Sequence, residues 1–151
     1  MLYHIEILCR RGVHDAQGRA IQKDILDLGI KGVTFVKTAQ LYEIRGSISL
    51  SNIHKICRNL LVDPITQTYH VNRRGLSSCT WSVEVWYRKG VTDHVAESVQ
   101  KGIRDMGFTM LLEIKSGQKY MLAGNINEKE AKMICRRLLV NSVIQTYFLK
   151  K

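Results

Sequence analysis

Four cysteines and five histidines are the residues through which this chain could do metal, redox or nucleophilic chemistry. The cysteines stand at 9, 57, 79 and 135, and no two have the C-x-x-C spacing of a zinc ribbon or a dithiol motif. The histidines at 4, 14, 54, 70 and 94 include no H-x-x-x-H pair. Only His14 and His94 neighbour an acid, Asp15 and Asp93, and these two histidines are not at equivalent places in the chain's internal repeat. No serine or cysteine sits in a nucleophile motif, and the glycines are single rather than clustered in a phosphate loop. Asp15 and Asp93 have no second carboxylate or base at useful spacing. A short carboxylate before an apolar periodic stretch caps a helix, and that is their expected role. Cys57 and Cys135 fall on an apolar helix stripe, where a free thiol behaves as a small hydrophobe. No catalytic residue, metal or cofactor is expected.

Contact chemistry is left. The chain has 23 Lys and Arg against 13 Asp and Glu, a formal charge of +10, which suits nucleic acid or an acidic protein partner. The surplus is dispersed in doublets: Arg10-Arg11, Arg73-Arg74, Arg88-Lys89, Arg136-Arg137 and Lys150-Lys151. Scattered doublets solvate a surface more readily than they track a phosphate backbone, so nucleic acid is not the expected partner.

The elements that must position these residues follow from a repeat. Shifted by 78 residues, the sequence lies on itself without a gap: residues 3–73 match 81–151, with 24 identities in 71 positions. That is about a third, where unrelated chains share about one position in sixteen. The reading is two units, 1–73 and 81–151, joined by a linker at 74–80 that carries the glycine and serines of a connection. In each unit an opening strand alternates, as Tyr3, Ile5, Ile7 and Cys9 against His4, Glu6 and Arg10. A helix follows, with its stripe at Ile21, Ile25 and Leu28, or at Val95, Val99, Ile103 and Met106, and it ends at Gly29 or Gly107. Two short strands come next, near 32–38 and 40–48, then near 110–116 and 118–126, with a polar hairpin connection at Lys37 and Gln40 and at Lys115 and Gln118. A second helix begins near Ser51 and near Asn127, striped by Ile53, Ile56, Cys57, Leu60 and Leu61, or by Ala131, Ile134, Cys135, Leu138 and Leu139. A last strand lies near 65–72 and 143–150. The fold class is α+β: two tandem β-α-β-β-α-β ferredoxin-like units. A unit of about 70 residues has a thin core and open edges, so the two units are expected to pair as a pseudo-dimer.

Composition bounds the rest. Apolar residues make 45% and charged residues 24% of 151, which is globular. Apolar runs such as Leu60-Leu61-Val62 are too short to span a membrane. The first eleven residues alternate and carry Glu6, unlike a signal peptide, so a cytoplasmic location with reduced thiols is expected.

These residues carry a resemblance. Gly12-Val13-His14-Asp15, Leu28-Gly29, Val33-Thr34-Phe35-Val36-Lys37 and Cys57-Arg58-Asn59-Leu60-Leu61-Val62-Asp63-Pro64-Ile65 with Tyr69 resemble the small, non-catalytic subunit of phosphoribosylformylglycinamidine synthase. The second unit repeats the pattern at Gly90-Val91-Thr92-Asp93 and Cys135-Arg136-Arg137-Leu138-Leu139-Val140-Asn141-Ser142-Val143-Ile144 with Tyr147. It departs from the family's Gly-Lys hairpin at Ala39-Gln40 and Gly117-Gln118, and Ser142 replaces the proline kept at Pro64. The usual small subunit is one such unit; the doubled arrangement is similar to the amino-terminal region of the longer large-subunit forms. The resemblance implies a scaffold in de novo purine biosynthesis. Its partners would be the ATP-using synthetase subunit and the glutaminase subunit, with ammonia passing between them and self-association possible. Candidate partner contacts are Arg10, Arg11, Lys37, Gln40, Arg88, Lys89, Lys115 and Gln118. Two other classes stay open. One is a regulatory module binding a small molecule between its units. The other is a basic RNA-binding module, which requires exposed aromatics on the strands, such as Trp81, Trp86 and Tyr87.

Overall fold

The computed structural model describes residues 1–73 and 79–151; most of the linker read at 74–80 lies outside the described residues. β1 (Leu2–Cys9) buries Tyr3, Ile5 and Ile7 on one face, as its alternation requires, but Glu6 and Leu8 on the other face are buried as well. α1 (Ala16–Asp27) starts at Asp15, whose carboxylate accepts from the Gly18 amide. It stops at Gly29, whose φ of +90° is left-handed backbone that a side chain would strain. β2 (Val33–Gly46) follows, then α2 (Leu50–Ile56), capped by Ser49, and β3 (Gln67–Val71). The second repeat gives β4 (Trp81–Tyr87), α3 (His94–Asp105) capped by Asp93, β5 (Leu112–Gly124), α4 (Glu128–Ile134) and β6 (Gln145–Lys150). Asn127 and Glu130 form a reciprocal capping box at the start of α4. Among the described residues, no helix is long and apolar enough to cross a membrane.

Two sequence expectations need correction. The strands read near 32–38 and 40–48 are one fourteen-residue strand, β2, and those near 110–116 and 118–126 are one thirteen-residue strand, β5. No hairpin exists at Lys37–Gln40 or Lys115–Gln118: each strand runs on through these residues, and no residue there takes left-handed backbone. Gly117 is needed for space instead: a Cβ on it would lie 2.7 Å from the Trp86 ring. The apolar stripes also shift. Asp93 caps α3 so that Ala96 turns inward and Val95 stays out, 43% exposed. At the end of α2 the helix widens into a π-turn, Cys57–Leu61, closed by the Val62 amide on the Cys57 carbonyl. The extra residue rotates Leu60 off the stripe. A second π-turn, Cys135–Leu139, follows α4, and there Leu138 stays partly buried against the core.

The chain forms two compact units whose partition differs from the sequence repeats. One gathers β1, β2 from Gln40 onward, α2 and β3, together with α3 and β5 as far as Ser116. Its strands run in the order β3-β1-β2-β5, with β1 and β3 antiparallel, Ile7 opposite Tyr69. Its core joins Ile5, Ile44, Ile53 and Ile56 to Val99 and Ile103 of α3, so α2 and α3 cover one sheet face. Gly102 of α3 lets that helix close on Leu60. The other unit gathers α1 and β2 as far as Ala39 with β4, β5 from Gly117, α4 and β6. Its strand order is β2-β5-β4-β6, and its core joins Ile25 of α1 to Val83, Leu122, Ile134 and Cys135. Each unit therefore has four strands and two helices in the β-α-β-β-α-β pattern. Each long strand serves one unit with its first half and the other with its second.

Candidate partner-binding surface

Two of the basic doublets, Arg10-Arg11 and Arg88-Lys89, sit where the first strand of each repeat ends. Arg10 begins a turn in which the Val13 amide donates to its carbonyl at 2.9 Å; Val91 repeats this on Arg88 at 3.1 Å. Gly12 and Gly90 supply the positive φ, +85° and +87°, which leaves Arg11 and Lys89 exposed at the tips. Arg10 reaches across: its Nε donates to the Pro64 carbonyl at 3.1 Å, and its amide to the Thr66 carbonyl at 2.8 Å. Arg88 makes the equivalent bonds to the Ser142 and Ile144 carbonyls, 2.9 and 2.8 Å.

Each arginine thus ties the doublet to a second turn. In the first, the Ile65 amide donates to Asp63 Oδ1 at 3.0 Å. The Asp63 amide donates to Gln67 Oε1 at 2.9 Å, and the Gln67 amide returns to the Asp63 carbonyl at 2.8 Å. The second turn repeats these bonds with Asn141, Val143 and Gln145. At the tips Ile65 is 82% and Val143 81% exposed. Neither was among the expected contact residues. The signal was the doubled pattern Asp63-x-Ile65-x-Gln67 and Asn141-x-Val143-x-Gln145, a side-chain acceptor two residues before an apolar one with a glutamine beyond.

The structure brings Arg10 and Arg11 together in one unit and Arg88 and Lys89 in the other. Lys37 and Lys115 are mid-strand residues; Lys115 lines a shallow depression with Leu2, Glu43, Arg45 and Glu113. Gln118 lies opposite Val85 and its Nε2 is 3.4 Å from Gln17 Oε1; Gln40 is half-buried in β2.

Four of the groups suited to chemistry, Asp15, Asp93, Cys57 and Cys135, are engaged in the fold. Asp15 accepts from the Gly18 amide and from the Thr38 amide and hydroxyl. Asp93 does likewise with Ala96 and Ser116. Burial pushes the Cys57 thiol up to about 12 and the Cys135 thiol to about 11, so both are neutral at neutral pH. Burial also raises the Tyr42 phenol, with the Asp93 charge adding to it, and burial alone raises Tyr120. Among the described residues no three His, Cys, Asp or Glu side chains gather as metal ligands. Of the aromatics proposed for base stacking, Trp81 is buried, with its Nε1 donating to the Ile126 carbonyl, and Trp86 and Tyr87 are half-buried.

Residues 2–75 and again 80–151 match the model of the PurS family, described as phosphoribosylformylglycinamidine (FGAM) synthase. No curated protein matches the chain. Among the solved structures it is similar to PurS of Methanocaldococcus jannaschii, described as one of the subunits of formylglycinamide ribonucleotide amidotransferase in the purine biosynthetic pathway. The two are 22% identical with a TM-score of 0.44, over 50% of this chain and 98% of that one. The two family matches cover nearly the whole chain, which belongs to the PurS family as two copies of the family unit in tandem.

Proposed function

We propose that this chain is a non-catalytic subunit of FGAM synthase acting in de novo purine biosynthesis in the cytoplasm. In this reading it bridges the synthetase and glutaminase subunits so that ammonia released at one site is captured at the other. The two family units are residues 1–73 and 81–151, joined at 74–80. The observation that carries the reading is the match of both halves to one family model. The geometry supports it: the carboxylates that could act as acids or bases serve as caps and strand ties, and the thiols in the two cores are neutral and buried. A protein of this kind contributes by position. Holding a source and a sink of ammonia together raises the local concentration at the second site far above that in bulk solution.

Sedimentation of the three purified proteins tests this. A complex containing synthetase, glutaminase and this chain is expected, with the two enzymes failing to associate when the chain is left out. Stable association of the enzymes without it would remove the bridging role.

A further inference from the structure

The turns at 63–67 and 141–145 hold features that the fold itself does not require. Single exposed apolar residues are ordinary on protein surfaces. These two differ in three respects. First, the repeats have diverged at about two-thirds of their positions, and the neighbours have changed from Pro64 to Ser142 and from Thr66 to Ile144. Yet the tip is a β-branched apolar residue in both, and in both it is more than four-fifths exposed. Second, each tip is held by the same five hydrogen bonds, three within the turn and two from the arginine at the end of the first strand. Backbone fixed in advance loses little entropy on binding, which favours such a turn as a contact point. Third, each turn is bonded to a basic doublet, Arg10-Arg11 or Arg88-Lys89, whose second residue is at an exposed tip.

Resting on the subunit reading above, we infer that these two turns are the points at which the chain docks on its protein partner. Each seats its aliphatic tip, Ile65 or Val143, in an apolar pocket whose rim carries carboxylates. The aliphatic tip fixes the pocket as apolar, and the basic doublet fixes the sign of the rim. An aliphatic side chain offers no face for base stacking, so RNA is the poorer fit. Arg10 and Arg88 act as positioning residues that hold the turns in shape; Arg11 and Lys89 face the rim.

The test uses the full chain with the synthetase and glutaminase subunits, by titration at low and moderate salt. Ile65→Ala and Val143→Ala are each expected to weaken assembly about tenfold or more, the effect of losing one buried aliphatic side chain. Their melting temperatures should equal that of the unaltered chain, since neither side chain is in a core. Arg11→Glu with Lys89→Glu should weaken assembly and flatten its salt dependence. If the unaltered chain assembles and the alanine variants assemble equally well, the docking inference is overturned while the subunit reading stands. If the unaltered chain binds neither enzyme, both are overturned. Loss of self-association in the variants with partner binding intact would assign the turns to contacts between copies, and the inference would again fail.

Discussion

Asp15 and Asp93 show how one side chain can serve two structural roles at once. Each carboxylate caps a helix and also holds the amide and hydroxyl of a strand residue 23 positions later, Thr38 or Ser116. Ser116 is only 3% exposed, so loss of its acceptor leaves buried donors unpaired. Asp93→Ala is therefore expected to destabilise the chain by about 2–4 kcal/mol in urea unfolding, the loss of a cap plus an unsatisfied buried group. Asp93→Asn, which keeps one acceptor oxygen, should cost less. The two docking turns differ at one residue in a way that pH reveals. The Ile65 amide, followed by the Thr66 hydroxyl, holds the Asp63 carboxyl below its ordinary range. A depressed carboxyl contributes stability above its unfolded value of about 4, and that stability is lost as pH falls through the folded value. Asn141 does not titrate. Amide exchange at Ile65 should accelerate in acid relative to Val143, after correction for intrinsic rates; equal behaviour would show that the Asp63 bonds do not hold the turn.

At the scale of elements, the long strands decide the architecture. Gly117 lies against Trp86 and its missing side chain is filled by that ring. Gly117→Ala should destabilise by about 1–3 kcal/mol, with the Trp86 fluorescence changed in the folded state, because the ring must move. The helices, the Asp15 and Asp93 caps and the buried alternation of β4 were legible in the sequence, because local periodicity and capping chemistry determine them; the Ser49 cap and the burial of Glu6 and Leu8 in β1 were not. Asp15, Asp93, Gly29 and Gly107 all do what their types suggest. The unbroken β2 and β5 were not legible. Polar residues such as Lys37 and Gln40, and a glycine at 117, look like a turn along the chain. Whether they are one depends on the neighbouring strands, which periodicity does not report. The candidate surface divides the same way. The basic doublets could be seen, but the hydrogen bonds that tie Arg10 to Pro64 and Arg88 to Ser142 span 54 residues, so Ile65 and Val143 went unmarked.

At the scale of the molecule, the interleaved units explain why two repeats share one chain. The first repeat alone has β1, β2, α2 and β3 of its unit but lacks α3 and β5, which complete that core with Val99, Ile103 and Leu112. Residues 1–73 expressed alone are expected to be unfolded or to self-associate in sedimentation and circular dichroism. A cooperatively folded monomer would contradict the interleaving. Joining the repeats makes the missing elements available at high effective concentration, so assembly of the fold does not depend on finding a second molecule. The same logic applies to the proposed function, which is to replace a diffusive encounter by a fixed one. The most direct test measures FGAM formation by the synthetase and glutaminase subunits, with glutamine or with free ammonia as nitrogen donor, with and without this chain. The glutamine-dependent rate is expected to require the chain, and the ammonia-dependent rate to be nearly unchanged. Equal glutamine-dependent rates in its presence and absence would contradict it.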